Sequence, residues 1–289
     1  MERRIKMKAY DLYNQLEADF RLSVCTDDWS EIGMTEFITE QYKQRYMGLV
    51  CDNSDVIEYV YTAVFPSQSV IEKIIGDGRQ NALLFVHHPM RWDITDFPAF
   101  TDVSAEEFTA LRDRRISLYN LHVPLDANGT YGTTWNFAKA LNVEVTDEFH
   151  EYHGIMAGII GKTDCGTVCT LRERFEGAVG HKIRLYPYGD EIIADNKVAL
   201  IAGGGNDAAV YPFLRERGIN TYLTGIAHVR NSYSPSVTAH NAARENGVNI
   251  LAGTHYSTEK FACIKILAYF ANLGITGEFI KDTPCAEDM

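Results

Sequence analysis

Short apolar runs alternate with amphipathic stretches almost without interruption along this chain of 289 residues. The apolar runs have the length of buried strands, and the amphipathic stretches repeat their apolar residues at helical spacing. Because strand–helix–strand alternation places helices on the faces of a parallel sheet, few other folds are compatible with it. The sequence therefore predicts an α/β fold with mostly parallel sheets.

The alternation occurs in two stretches, before and after about residue 127. We interpret residues 1–289 as one unit with two similar lobes, 1–127 and 128–289. No Gly/Ser linker fixes the boundary, and the sequence leaves open that the C-terminal segment packs back on the first lobe. Predicted strands cover residues 56–64, 82–87, 116–121, 155–160, 182–186, 197–201, 220–223 and 248–252. Predicted helices cover residues 9–20, 37–46, 66–78, 133–141, 167–179, 207–217 and 235–245, with one beginning after 104 and one ending at 270.

One apolar run, Ala82–Val86, ends abruptly in His87 and His88, which Pro89 follows. Proline stops a strand and favours an extended conformation in the residue before it. Both imidazoles are therefore expected where the strand gives way to a loop. In open α/β sheets, ligands bind at the carboxyl ends of the strands. A pair of histidines is weak evidence alone, but the same layout recurs in this chain.

Two further predicted strands end in side chains that bind metals. Asp126, preceded by His122, follows the strand at 116–121, and His255 and Glu259 follow the strand at 248–252. Residues four apart share one helical face. With His87 and His88, the candidates comprise three imidazoles and two carboxylates, too many for one tetrahedral structural zinc. They suit two divalent ions ~3.5–4 Å apart. Nitrogen and oxygen donors without a thiolate favour Zn, Fe or Mn, and Mg is compatible.

Each candidate also has an ordinary structural interpretation. A hydrogen bond to a backbone carbonyl explains His122 better than ligation does. Asp126 could be a turn former in Leu-Asp-Ala-Asn-Gly, and Glu259 could simply stabilise the first turn of a helix through the helix dipole. Recurrence at strand ends favours ligation.

Other polar motifs are more ambiguous. The run Gly203-Gly204-Gly205-Asn206 follows a strand and could hold a phosphate, but it lacks the Walker lysine and the G-x-G-x-x-G spacing, so we interpret it as a tight turn. His228 also follows a strand, and proton transfer and simple burial both explain it. The acids Asp27 and Asp28 have no evident partner.

Composition excludes some classes of protein. The formal net charge of −12 argues against a broad nucleic-acid-binding surface. The six cysteines are scattered and complete no zinc knuckle, so we expect reduced thiols, mostly in the core, as in a cytoplasmic protein. The basic N-terminus lacks the apolar region of a secretory signal. The apolar segment at 261–275 is too short to span a bilayer, and we expect no membrane partner.

Five motifs, in this order and spacing, resemble the Nif-three-like family, whose members are also called GTP cyclohydrolase I type 2 homologues. They are VHHPMRW, LHVPLDANGTYG, VALIAGGG, YLTGIAHV and NILAGTHYSTEKF. The resemblance extends from about Gly48 to Ala268, and more weakly over the first helix. It implies two similar α/β lobes, a dinuclear metal site in the cleft between them and a homo-hexamer. By motif position it implies metal ligands at His87, His88, Asp126, His255 and Glu259.

The resemblance implies a GTP-like substrate whose imidazole ring is opened. We therefore expect a metal-dependent hydrolase in which activated water attacks a small, nucleotide-like molecule, with His228 as proton carrier. The alternative is a metal carrier or regulatory interaction protein that uses the same site without turnover. Two motifs depart from the family: Ile226 replaces a common acidic residue, and Gly132-Thr133-Thr134 replaces Gly-Asn-Asn, which weakens any assignment of a substrate contact there.

Overall fold

The computed structural model describes residues 7–33, 35–95, 98–205, 207–229 and 234–289. The chain divides into two compact units. The first contains Met1–Asp126, His153–Ile155 and Cys263–Thr283, and the second contains Ala127–Tyr152, Met156–Ala262 and Pro284–Met289.

Regular elements alternate along the described chain. Up to Asp126 they are β1 (Met7–Lys8), α1 (Ala9–Asp19), α2 (Glu40–Arg45), β2 (Gly48–Cys51), β3 (Val56–Ile57), β4 (Tyr59–Ala63), α3 (Gln68–Asp77), β5 (Ala82–Val86), β6 (Arg91–Trp92), β7 (Phe100–Thr101), α4 (Ala105–Asp113), β8 (Ile116–Asn120) and α5 (Val123–Asp126). Beyond it they are α6 (Thr133–Ala140), β9 (Glu144–Tyr152), β10 (Ile155–Lys162), α7 (Val168–Val179), β11 (Arg184–Tyr186), β12 (Lys197–Ile201), α8 (Val210–Glu216), β13 (Thr221–Thr224), α9 (Ser234–Asn246), β14 (Asn249–Ala252), α10 (His255–Lys265), α11 (Leu267–Asn272) and β15 (Thr276–Phe279).

The main sheet of the first unit has the strand order β15–β4–β5–β8–β2. Strands β15, β4, β5 and β8 are parallel, and β2 is antiparallel to β8. Val86 lies opposite Asn120 in the register of β5 and β8, so these two strands end at the same edge. The residues that follow them are therefore brought together, as the pattern of strand ends predicted.

Local sequence explains the helices that cover this sheet. Ser67 caps α3 by accepting a hydrogen bond from the backbone N–H of Val70 at 3.3 Å, and the helix ends at Gly78, which has a φ of +75°. Ser104 and Glu107 form a capping box at the start of α4. Both helices bury one apolar face in a core that lies against β4, β5 and β8.

The sheet of the second unit has the order β11–β14–β13–β12–β10–β9. Its centre, β12, β13 and β14, is parallel, whereas β10 and β11 pair antiparallel with their neighbours. Two buried clusters pack against this sheet, one including Phe137, Phe175 and Leu251 and the other including Tyr211 and Tyr222. The α/β class is confirmed; the sheet of the first unit is mostly parallel, whereas the sheet of the second unit is mixed.

Three strands of the main sheets were not predicted, and all three lie at sheet edges: β2, β9 and β15. An edge strand pairs on one side and does not need a continuous apolar run. β9 illustrates this, because six of its nine residues are polar or charged and most are exposed. The predicted strand at 56–64 is also interrupted at Glu58, and the last predicted helix is divided between α10 and α11.

Among the described residues, no helix is both long enough and apolar enough to cross a bilayer. All six cysteines are described and none forms a disulfide; Cys51, Cys165 and Cys263 are buried, Cys25 and Cys285 are half-buried, and Cys169 is exposed.

Candidate metal centre

In the first unit, β5 places two imidazoles at its carboxyl end. The backbone N–H groups of His87 and His88 donate to the carbonyls of Ala63 and Val64 at 3.2 and 2.9 Å, so strand-like pairing continues through both residues. Both side chains are buried, with exposed fractions of 0% and 2%. The sheet therefore fixes the backbone that carries both buried rings.

The ring of His87 is oriented by a backbone carbonyl. Nδ1 lies 3.0 Å from the carbonyl oxygen of Leu121, and because that oxygen can only accept, Nδ1 carries the hydrogen. Nε2 lies 3.4 Å from Oδ1 of Asp126. In the neutral ring these two facing atoms are both acceptors, an arrangement that a shared cation or proton stabilises. Metal-binding histidines commonly donate their other ring N–H to a carbonyl in this way.

The partner of His122 is a carboxylate, and our prediction of a backbone carbonyl was wrong. Nδ1 of His122 lies 3.1 and 3.2 Å from the two carboxylate oxygens of Asp27, whose side chain is 3% exposed. Nε2 of His122 lies 3.6 Å from Oδ2 of Asp126. The pattern around Asp27 gave no indication of this pair, because the two residues are 95 positions apart.

The Asp27 carboxyl is strongly affected by this environment. Burial raises its pKa, but the hydrogen bond and the charge of His122 outweigh burial and hold the pKa below its ordinary value. Trp29 packs edge-on against the rings of His122 and His88 at centroid distances of 5.2 and 5.7 Å. The Asp27 segment thus packs against the imidazoles of this unit.

Three imidazoles form one cluster. His87, His88 and His122 each offer one nitrogen, and these atoms lie within 4.8 Å of one another. Phe65 stacks on the ring of His88 at 4.7 Å between centroids, which gives the cluster an apolar wall. Buried imidazoles together with a carboxylate form a donor set that binds divalent transition metals.

Asp27→Ala is expected to lower the free energy of unfolding at pH 7 by about 1–3 kcal/mol, because it removes a buried partner of His122. A carboxyl with a depressed folded-state pKa stabilises the protein above its unfolded-state pKa, and this stabilisation disappears as pH falls through the folded value. The difference in free energy of unfolding between wild type and variant should therefore have its full size at pH 7 and decrease below about pH 4. Urea unfolding across this pH range measures it.

Asp28→Ala is the matched control, since Asp28 is adjacent but exposed. It should change stability by less than about 0.5 kcal/mol. A destabilisation by Asp27→Ala that is equal at all these pH values would contradict the assigned role of the Asp27 carboxylate.

In the second unit, α10 begins at His255 and places Glu259 one turn later. Nε2 of His255 lies 3.2 Å from Oε1 of Glu259, and the two side chains are 6% and 4% exposed. Both residues therefore share one helical face, as their spacing predicted. A charged side chain this deeply buried requires a compensating partner.

The glycine run contributes directly to the position of Glu259. Gly203 adopts a φ of +69°, in agreement with the predicted tight turn. A Cβ atom at this position would overlap Oε1 of Glu259 and lie 3.3 Å from Cδ2 of His255. The backbone N–H of Gly203 donates to Oγ1 of Thr258 at 2.9 Å. Asn206, the last residue of the motif, lies outside the described residues.

The loop after β13 carries His228, whose side chain is buried, with 8% of the residue exposed. Its backbone N–H, and that of Ala227, donate to the carbonyl oxygen of Asp288 at 3.0 and 2.9 Å. Ile226, which replaces the acidic residue common in the family, is 8% exposed and its N–H donates to the carbonyl of Gly203 at 2.9 Å.

The second departure from the family motif has a structural role. Oγ1 of Thr134 accepts a hydrogen bond from the backbone N–H of Ala202 at 3.1 Å, and Thr134 is almost fully buried. Ala202 directly precedes the glycine turn that contacts Glu259. Through this hydrogen bond, Thr134 therefore stabilises the backbone that directly precedes that turn.

Comparisons with known proteins agree with this architecture. A GTP cyclohydrolase 1 type 2 homolog of Archaeoglobus fulgidus is 26% identical over 261 residues, covering 88% of this chain and 94% of the relative. Its counterpart from Pyrococcus horikoshii is 28% identical over 206 residues, covering 70% and 76%. The solved structure of protein ybgI, described as of unknown function, shares the fold with a TM-score of 0.74 at 21% identity, covering 96% and 100%. The profile of one family matches residues 7–283. The chain belongs to the Duf34/NIF3 (NGG1p interacting factor 3) family.

Proposed function

We propose that this chain is a metal-dependent hydrolase that acts on a small, nucleotide-like molecule. Its ligands for two divalent ions are His87, His88, Asp126, His255 and Glu259. The first three belong to the first unit and the last two to the second. Three imidazoles and two carboxylates are too many for one tetrahedral structural zinc and suit two divalent ions.

One observation carries the proposal: Nε2 of His87 faces Oδ1 of Asp126 at 3.4 Å while Nδ1 is committed to a carbonyl. In the neutral ring a lone pair that faces a carboxylate oxygen gains nothing by itself, whereas a cation bound between the two atoms would be held by both. The burial of His255 and Glu259 supports the same interpretation, because a ring nitrogen and a carboxylate oxygen held 3.2 Å apart are suitable donors for a divalent ion. The donors suit Zn, Fe or Mn, and Mg less well.

When bound, two divalent ions supply Lewis acidity and a nucleophile derived from water near neutral pH. In this proposal His228 carries a proton between the attacking water and the leaving group. Asp27 and His122 hold the edge of the first unit in place. The name shared by these relatives, GTP cyclohydrolase 1 type 2 homolog, favours a guanine nucleotide as the first substrate to test.

The competing function is a metal carrier or regulatory interaction protein. The description of the family as NGG1p interacting factor 3 favours this alternative. It uses the same ligands but requires no turnover. Both functions therefore require metal binding, but only the hydrolase requires turnover.

Metal content and turnover separate these functions. Purified protein should contain about two divalent ions per chain, and Asp126→Ala should reduce this content. The metal-loaded protein should hydrolyse GTP or a phosphoester from a panel, and His88→Ala should abolish the reaction. Metal binding without turnover would favour the carrier, and turnover that survives His88→Ala would indicate a contaminating enzyme.

We also propose a homo-hexamer in the cytoplasm, as the family resemblance implies. Native mass spectrometry should give the mass of six chains. A monomeric mass at micromolar concentration would contradict the hexamer without affecting the metal proposal.

A further inference from the structure

Asp288, in the segment Pro284–Met289, accepts hydrogen bonds from backbone N–H groups of the second unit at the start of α10 and in the loop that bears His228. Oδ2 of Asp288 accepts from the backbone N–H of His255 at 2.8 Å. The carbonyl oxygen of the same residue accepts from the N–H groups of Ala227 and His228. Asp288 is completely buried. One residue therefore contacts both the start of α10 and the loop that bears His228.

This segment lies beyond residue 283, where the match to the family profile ends. None of the family motifs includes it, and the sequence pattern assigned it no role. Met289 packs against both apolar clusters of the second unit, which anchors the segment next to Asp288. The contacts made by Asp288 are thus a property of this chain that the family match does not cover.

We propose that Asp288 is a positioning residue that fixes the ligands His255 and Glu259 and the loop of His228; this inference rests on the proposed function. The first N–H groups of a helix have no partner within the helix, and a carboxylate that accepts from one of them satisfies it and interacts favourably with the helix dipole. Because α10 begins at His255, this contact fixes the helix at the residue that is itself a candidate ligand.

The position of Glu259 depends on the same contact. Its side chain lies against Gly203, where no space remains for a methyl group. A small rotation of the first turn of α10 would therefore drive Glu259 into the backbone of the glycine turn or away from it. A metal site with fixed ligand geometry is sensitive to such displacements.

The test compares three variants by Co²⁺ titration, followed through visible absorption, and by amide hydrogen exchange of the metal-free protein. Asp288→Ala should accelerate exchange at His255 and weaken Co²⁺ affinity by ~10-fold. Asp288→Asn keeps an acceptor oxygen and should restore affinity to within about two-fold of wild type. Glu287→Ala, at an exposed neighbouring position, should match wild type in both measurements.

Thermal unfolding of each variant separates positioning from stability. A purely structural role would lower the melting temperature of Asp288→Ala while leaving Co²⁺ affinity of the folded protein unchanged, and that result would overturn the inference. Faster exchange at His255 together with weaker Co²⁺ binding, both recovered in Asp288→Asn, would support it. Wild-type protein that binds no Co²⁺ would overturn the proposed function itself, and with it the role of Asp288.

Discussion

Replacing Glu259 by alanine is expected to reduce bound metal from about two ions per chain to one or fewer and to slow turnover strongly. The carboxylate is 4% exposed and lies 3.2 Å from His255, so its removal deletes one of the two proposed ligands in the second unit. Ions of this kind supply several kcal/mol of transition-state stabilisation, so loss of one should slow turnover on the order of a thousand-fold. Elemental analysis and a rate assay measure both effects.

Glu245→Ala provides the control, because Glu245 is an exposed glutamate on a helix of the same unit. It should leave metal content and rate unchanged. Glu259→Gln is informative as well, since it keeps the volume of the side chain but removes the charge. Full metal occupancy in Glu259→Ala would exclude this residue from the ligand set.

Gly203→Ala is the second change with a large expected effect. Alanine at a φ of +69° costs about 1–2 kcal/mol, and the new methyl group would overlap Oε1 of Glu259. We therefore expect both reduced stability and metal affinity lowered by ~10–100-fold. Urea unfolding and Co²⁺ titration measure these two effects on the same preparation.

Gly204→Ala is a closely matched control. A methyl group there would meet Cδ1 of Ile226 at 3.6 Å, an ordinary van der Waals contact. This variant should bind Co²⁺ like wild type and lose less than about 1 kcal/mol of stability. Equal metal affinity in the two alanine variants would show that the contact between Gly203 and Glu259 does not determine the position of the carboxylate.

The sequence predicted the parts of the fold that local patterns encode. The central strand β5 is a continuous apolar run and β12 is apolar after Lys197, and the capping box at Ser104 and the helix end at Gly78 are local signals. Because parallel strands end at the same edge, the position of His87 beside the segment following β8 could also be predicted. The α/β class and the positions at which these strands end could therefore be predicted from the sequence alone.

Contacts between distant parts of the chain could not be predicted. Asp27 and His122 are 95 residues apart, and Asp288 is 33 residues from His255. No periodicity links such pairs, so a carboxylate in Cys-Thr-Asp-Asp-Trp gave no sign of its partner. The edge strand β9 was missed for a different reason: its residues are mostly polar, and pairing with β10 stabilises it in place of an apolar run.

The ligand set is tested most directly by a crystal structure of zinc-loaded protein with anomalous diffraction data collected at the zinc edge. We expect two anomalous peaks per chain, ~3.5–4 Å apart, with ligand atoms of His87, His88, Asp126, His255 and Glu259 at about 2.0–2.2 Å from the ions. A single peak with four closed protein ligands, or ions held by His87 and His88 far from His255 and Glu259, would contradict the dinuclear centre.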